Sequence, residues 1–437
     1  MESKKNAPKP TTKPTTKPKS FTNSKPKPVT KTTTSSQKNT SKEPTKPAPS
    51  SFTTGIIYHE EMLLHKSEHD HCENPKRLKS IIDRLNSLDT IKSSDVEVLT
   101  EFDEVDEELV NKAHKSDDYY SYIKNICPED WQTQMGGDMF YNPHTSRAAF
   151  LAAGALKLAV DKVLTNSWKN SFCAIRPPGH HAASRGEKVF GFCFINNVVV
   201  GIKQAQEKYK VKRILVFDWD VHHGDSTQKL TYDDPNVLFI SFHRYDDGYF
   251  FPGTKFGNYD QLGEEGKAEG YNLNLPWNIL QAKNYRMLGN EDYVYAFERL
   301  VAPIIKKFKP ELTFISCGFD SCHGDQLGQI SVRPSGYAYI TNQLTELTEG
   351  GKVIVALEGG YNFDNLADAS ETVFRVLRGE SKNGPVKSVE SQNKISYESL
   401  LAKALPTSFY FKRIEEVKGA WGKYWGECID SDKKSQD

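Results

Sequence analysis

The stretch ILVFDWDVHHGD, residues 214–225, decides how this 437-residue chain is read. It opens with the apolar run 214–217, the pattern of a short strand buried on both faces. It then turns abruptly polar, through Asp218, Asp220, His222, His223 and Asp225. Side chains two apart in an extended chain point the same way, so Asp220 and His222 can meet one point. A carboxylate oxygen and an imidazole nitrogen converging there suit zinc, which takes such ligands at about 2 Å. The competing reading is a turn of solvated aspartates with packed histidines. Ligands at the C-terminal end of a strand favour a site, because open α/β sheets bind there.

Outward from that stretch, short apolar runs alternate with longer amphipathic ones. The pattern predicts strands over 54–58, 171–176, 213–217, 237–243, 312–317 and 352–357. It predicts helices over 146–165, 197–209, 292–308 (kinked at Pro303) and 334–349. Such alternation argues an α/β fold with a central, mainly parallel sheet flanked by helices on both faces. A further helix is expected over 411–425, with Ile414, Val417, Trp421 and Trp425 packing back on the body.

The first fifty residues differ in kind. They hold 12 Lys and no Arg against Glu2 and Glu43, with Phe21 the lone aromatic. Such a segment buries too little apolar surface to offset chain entropy, so it reads as a disordered basic tail. The whole chain has 57 basic and 57 acidic residues, so the remainder sits near −10 by difference, which favours a basic partner. Neither a membrane-length apolar run nor a signal-peptide core is present, and the chain reads as soluble. Seven cysteines, with no CxxC pair, fit a reducing compartment. The expected domains are a tail at 1–50, a body at 51–380 and a C-terminal extension at 381–437.

The unusual residues fall where the strands end. The strand at 171–176 runs into PPGHH, with His180 and His181; the one at 237–243 runs into DGYFFPG. The strand at 312–317 leads to GFD with Asp320, and the last leads to EGGY with Tyr361. In a parallel sheet these ends share one edge, so the clusters converge on one crevice. Each has a plainer reading alone: a satisfied histidine pair, an N-cap at Asp320, a turn anchor at Tyr361, core packing for Phe250 and Phe251. Together with Asp220 and His222 those readings become jointly improbable.

RPPGHHA (176–182), GFCFINN (191–197), DWDVHHGD (218–225), FHRYDDGYFFPG (242–253), GFDSCHGDQLG (318–328) and ALEGGYN (356–362) resemble the signature blocks of zinc-dependent histone deacetylases, closest to the class II branch. The resemblance spans about 54–377 and implies a single arginase/deacetylase-type domain. It implies zinc ligands Asp220, His222 and Asp320, with water or the substrate carbonyl in the open position. It makes His181 the general base and then acid, and His180 its electrostatic neighbour. Asp218 and Asp225 would orient His180 and His181, and Tyr361 would donate to the developing oxyanion. Phe192 and Phe251 would wall the lysine stem, and the Gly191 carbonyl would accept from the substrate amide. Family members also hold potassium, here through Asp218, the backbone carbonyls of Asp220, His222 and Phe242, and the Ser241 hydroxyl.

The chemistry agrees: zinc activates water and polarises a carbonyl, a histidine moves the proton, and a phenol stabilises the oxyanion. The implied activity is removal of acetyl groups from lysine side chains of proteins such as histone tails. Corepressor-type complexes and a nuclear location, with cytoplasm as well, go with it, and the basic tail could touch nucleic acid. Three alternatives stand beside this. In acetylpolyamine deacetylases, which resemble this chain, a glutamate takes the place of Leu327. An arginase-like enzyme needs two metals, and the ligands here serve one. An inactive acetyl-lysine-binding scaffold would lack a ligand, His181 or Tyr361, and all are present. Departures from the family pattern are Cys72 where relatives carry proline, Asp225 where many class II members carry Asn, and a long stretch at 278–293.

Overall fold

The computed structural model describes residues 54–127, 139–183, 188–282, 286–380 and 408–430. The expected tail at 1–50 lies outside them. Eight strands form one sheet: β1 (Thr54–Ile57), β2 (Val96–Leu99), β3 (Asn170–Cys173), β4 (Ile214–Asp218), β5 (Val237–Arg244), β6 (Asn272–Trp277), β7 (Leu312–Cys317) and β8 (Val353–Leu357). Their spatial order is β2-β1-β3-β8-β7-β4-β5-β6. Every pair is parallel, so the expected mainly parallel sheet is wholly so. Every residue of β3, β4, β5, β7 and β8 is buried. Since successive side chains face opposite sides, this requires cover on both faces.

β2 and β6, which the sequence pattern did not predict, are the two edges. An edge strand need not be a continuous apolar run. In β2 only Val96 is buried, and β6 reads NLNLPW, with Pro276 tolerated because its missing N–H lies at the edge. The helices expected near 146–165, 197–209 and 334–349 span Thr145–Leu164, Asn197–Tyr209 and Pro334–Leu347. The helix expected over 292–308 is divided. Helix Asn290–Ala296 passes through a π turn, Phe297–Val301, into helix Ala302–Phe308. The Ala302 amide donates to the Phe297 carbonyl five residues back. This wider turn directly precedes Pro303, whose ring would clash with the carbonyl of a tight preceding turn.

The C-terminal helix spans Ser408–Ile429 and packs on β6 and on helix Ala302–Phe308. Ile414, Val417 and Trp421 are fully buried, and the Trp425 indole donates to the Gly270 carbonyl at 2.7 Å. All seven cysteines are free thiols. No helix of the described residues is long and apolar enough to cross a membrane.

Candidate active site

β4 ends at Asp218, paired in register with Ser316 of β7 and Ser241 of β5. Beyond it the chain stays buried, which brings Asp220 and His222 beneath the loop after β7. Asp320 of that loop meets them, and the candidate ligand atoms of the three lie within 4.8 Å of one another. His222 Nδ1 is 3.1 Å from Asp220 Oδ1 and 3.1 Å from Asp320 Oδ2. Backbone amides fix the carboxylates: Gly359 N–H donates to Asp220 Oδ2 at 2.8 Å, and Val221 N–H to Asp320 Oδ1 at 2.8 Å. A Cβ on Gly359 would collide with both carboxylates, so the turn after β8 can close on them only through glycine.

The electrostatics of this cluster call for a cation. Burial and neighbouring Asp220 push the Asp320 carboxyl up to about 7, against the pull of His222. Burial opposes charge on His222, yet Asp220 and Asp320 hold its imidazole up at about 9. Two buried carboxylate oxygens and an imidazole nitrogen converging on one point fit a zinc-type ligand set with an open position. Among the described residues this is the one group of three or more such side chains.

The loop after β3 supplies the histidine pair. His180 Nδ1 lies 3.1 Å from Asp218 Oδ2, and His181 Nδ1 lies 2.8 Å from Asp225 Oδ1. Asp225 opens helix Asp225–Thr231. Although the two rings are only 4.1 Å apart, their surroundings separate them. Burial disfavours charge on His180, but Asp220, Asp218 and Glu358 outweigh it and hold that imidazole well above its ordinary range. Burial and then the charge of His180 lower His181 to about 4, against the bond to Asp225. The two shifts run in opposite directions, and such opposed shifts mark acid–base roles.

A cavity of about 670 Å³ reaches these groups. Phe251 stands edge-on to His181, with centroids 5.2 Å apart, and Phe192 edge-on to Tyr361 at 5.9 Å. Phe250, left as a core candidate by the sequence, lines the cavity and stacks on His222 at 5.2 Å. Gly191 lies so close to His181 that a Cβ would press on its ring at 2.6 Å. Leu327 and Cys72 also line the cavity. The Cys72 segment is held by the Asn74 amide, which donates to the His71 carbonyl at 2.7 Å, and burial pushes the Cys72 thiol up to about 11. Ser241 is the register partner of Asp218 on β5. His243 Nε2 is 2.9 Å from the Gly257 carbonyl, so it carries the proton, and Nδ1 accepts from the Ser241 hydroxyl at 2.8 Å.

Several supporting residues were not singled out from the sequence. Glu358 is buried and accepts from Gly179 N–H at 2.7 Å and His180 N–H at 3.2 Å. Arg77 donates through Nε to the Gly360 carbonyl at 2.7 Å and through Nη2 to the Glu358 carbonyl. Its guanidinium sits 5.0 Å from the Tyr361 ring centroid. Glu73 binds both Arg77 and Arg176, at 3.0 and 2.7 Å. Burial raises the Glu73 pKa, but the two arginines outweigh it and hold the carboxyl at about 2. Asp325 accepts from Tyr361 N–H at 2.7 Å and Leu327 N–H at 2.9 Å, tying the rim to the tyrosine loop.

Comparison with known proteins follows the same lines. The family model of the histone deacetylase domain matches residues 71–377. The chain is 36% identical over 340 residues to histone deacetylase clr3 of Schizosaccharomyces pombe, covering 75% of this chain and 48% of that protein. It is 37% identical over 350 residues to polyamine deacetylase HDAC10 of Homo sapiens, covering 77% of this chain and 50% of that protein. The chain thus spans about half the length of these curated relatives. The crystal structure of the HDA15 HD domain superposes with a TM-score of 0.75 at 30% identity, covering 89% of this chain and 99% of that one. On the fold and on the family match, the chain belongs to the histone deacetylase family.

Proposed function

We propose that this protein is a zinc-dependent deacetylase of lysine side chains in proteins, histone tails among them. The observation that carries the proposal is that His222 of the Asp220–His222–Asp320 set, the oppositely tuned His180 and His181, and Tyr361 line one aromatic-walled cavity. Asp220, His222 and Asp320 would hold the zinc. Bound there, it would supply a Lewis acid for the amide carbonyl and an attacking water of lowered pKa.

The remaining work belongs to the chain's own side chains. Asp225 accepts only, so it fixes the His181 proton on Nδ1 and leaves Nε2 basic. His181 can then take a proton from the attacking water and return it to the departing ε-amine. His180, whose charged form Asp220 and Asp218 favour, would stabilise the negative charge that builds nearby. The Tyr361 hydroxyl would donate to the developing oxyanion. Phe192 and Phe251 would flank the uncharged acetyl-lysine stem, whose methylenes enter an apolar slot at little cost. The Gly191 carbonyl would accept from the substrate amide. Potassium would sit beside Asp218, with the Ser241 hydroxyl and the carbonyls of Asp220, His222 and Phe242. Residues 51–380 would form the catalytic domain, 1–50 a basic tail and 381–437 an extension.

A polyamine substrate has one observation in its favour, the similarity to polyamine deacetylase HDAC10. The apolar Leu327 in the cavity lining speaks for the peptide instead. The deciding experiment measures turnover of an acetyl-lysine peptide by the zinc-loaded chain, by the chelated chain and by His181→Ala. Turnover that requires zinc and collapses in His181→Ala supports the proposal; a zinc-loaded parent chain that turns over nothing overturns it.

A further inference from the structure

Among the described residues that line the cavity, Asp70 is the lone carboxylate and none is Lys or Arg. It is also exposed, so it belongs to the mouth and not to the floor. Among the described residues it forms no ion pair; the same holds for exposed Glu68, which does not line the cavity, whereas Glu61 and Glu73 are both taken by arginines. Its place is set by the next residue. The His71 ring stands edge-on to Phe192, centroids 4.9 Å apart, and to Phe140 at 4.7 Å. An unpaired negative charge is thus held beside the wall against which a lysine stem would lie.

A stem reaching the floor leaves the substrate backbone at the mouth, with neighbouring residues about 3.8 Å apart along the chain. Their side chains would then lie at the mouth, where Asp70 stands. We propose that Asp70 is a specificity-determining residue that selects acetyl-lysine flanked by Lys or Arg. The inference deepens the deacetylase reading and rests on it. A second source of the same cation is the remote ammonium of an acetylated polyamine; a peptide is favoured because Leu327 in the same lining is apolar. An exposed pair of this kind is worth a small factor, about three- to fivefold, and acts largely through encounter rate.

The test compares kcat/KM of the zinc-loaded full chain on acetyl-lysine peptides whose neighbours are lysine, glutamine or glutamate. The parent should prefer lysine flanks by about three- to fivefold at low salt. That preference should vanish at about 1 M salt, where screening acts within roughly 3 Å. Asp70→Asn should flatten the preference and Asp70→Lys should invert it toward glutamate flanks, which a merely structural role could not do. Equal kcat/KM on lysine- and glutamine-flanked peptides in the parent, or a preference that survives in both variants, overturns the inference and leaves the deacetylase reading standing. So does N8-acetylspermidine outrunning the lysine-flanked peptide and losing that advantage in Asp70→Asn, which assigns the cation to a polyamine. No turnover of any peptide by the parent removes both readings.

Discussion

His181 Nδ1 lies 2.8 Å from Asp225 Oδ1, with both side chains almost fully buried. The same oxygen accepts from the Ser226 amide at 3.1 Å, so the carboxylate is pinned before it pins the imidazole. Asp225→Ala should lower kcat by about 10–100-fold, the usual loss for an orienting partner. Asp225→Asn keeps an oxygen that can accept from Nδ1–H, so it should lose less than Asp225→Ala. Steady-state kinetics on an acetyl-lysine peptide checks the order. Equal losses would mean that charge, and not tautomer control, is what Asp225 provides.

Crowding among the carboxylates gives a prediction that separates ligand from scaffold. Burial and Asp220 push Asp320 up to about 7, so its ionised carboxylate is held at a cost when no cation offsets it. Asp320→Asn removes one of the charges and keeps an oxygen to accept from Val221 N–H. In the presence of chelator the variant should melt no lower than the parent. With excess zinc the parent should gain far more in Tm, because stabilisation follows the affinity for the ligand. Equal zinc-induced shifts in the two proteins would remove Asp320 from the metal site.

The sequence made some of this legible and hid the rest for physical reasons. β4 could be read because a strand buried on both faces must be a continuous apolar run. Asp220 and His222 could be paired because an extended chain repeats every two residues. β2 and β6 could not, since edge strands tolerate Glu97, Asn272, Asn274 and Pro276. Roles for His181, Asp320 and Tyr361 came from their shared position at strand ends together with family resemblance. Nothing local announced Arg77, whose bonds to Gly360 and Glu358 join residues more than 280 positions apart. Glu358 sits in the quoted EGGY segment, yet only the fold shows that it accepts from Gly179 and His180.

Away from the cavity, His114 should make stability depend on acid. Its ring stacks on Tyr119, centroids 3.6 Å apart, and Nε2 accepts from Asn196 N–H at 3.0 Å. Burial, with a smaller push from Lys229, lowers its pKa to about 3. The unfolded chain, near the ordinary value of about 6.5, therefore binds the proton first as pH falls. Its contribution is fully present above about 6.5 and is lost progressively toward pH 3. His114→Gln can still accept from Asn196 and cannot titrate. Denaturant unfolding of the chelated protein between pH 7 and 5 should show a shallower pH slope for the variant, by up to about 1.4 kcal/mol per pH unit. Identical slopes would show that His114 does not take up a proton on unfolding.

Tyr361 provides the sharpest test of the proposed chemistry, because its ring and its hydroxyl are held to different tasks. Arg77 lies 5.0 Å from the ring centroid and Phe192 meets it edge-on. The Tyr361 amide donates to Asp325 at 2.7 Å, so the backbone is anchored independently of the phenol. Burial raises the phenol pKa well above its ordinary value, only partly offset by Arg77, which keeps the hydroxyl a proton-bearing donor at any working pH. Tyr361→Phe should therefore preserve the fold, the zinc affinity and the contacts to Arg77 and Phe192. What it would remove is the donor proposed for the oxyanion, a loss that typically costs about 10²–10³ in kcat, or roughly 3–4 kcal/mol. KM should move much less than kcat, the mark of an interaction made mainly in the transition state. Zinc content and Tm measured on the same sample guard against a folding defect. A Tyr361→Phe protein with parental zinc content and a kcat within about threefold of the parent, far short of the expected loss, would exclude Tyr361 as the oxyanion donor.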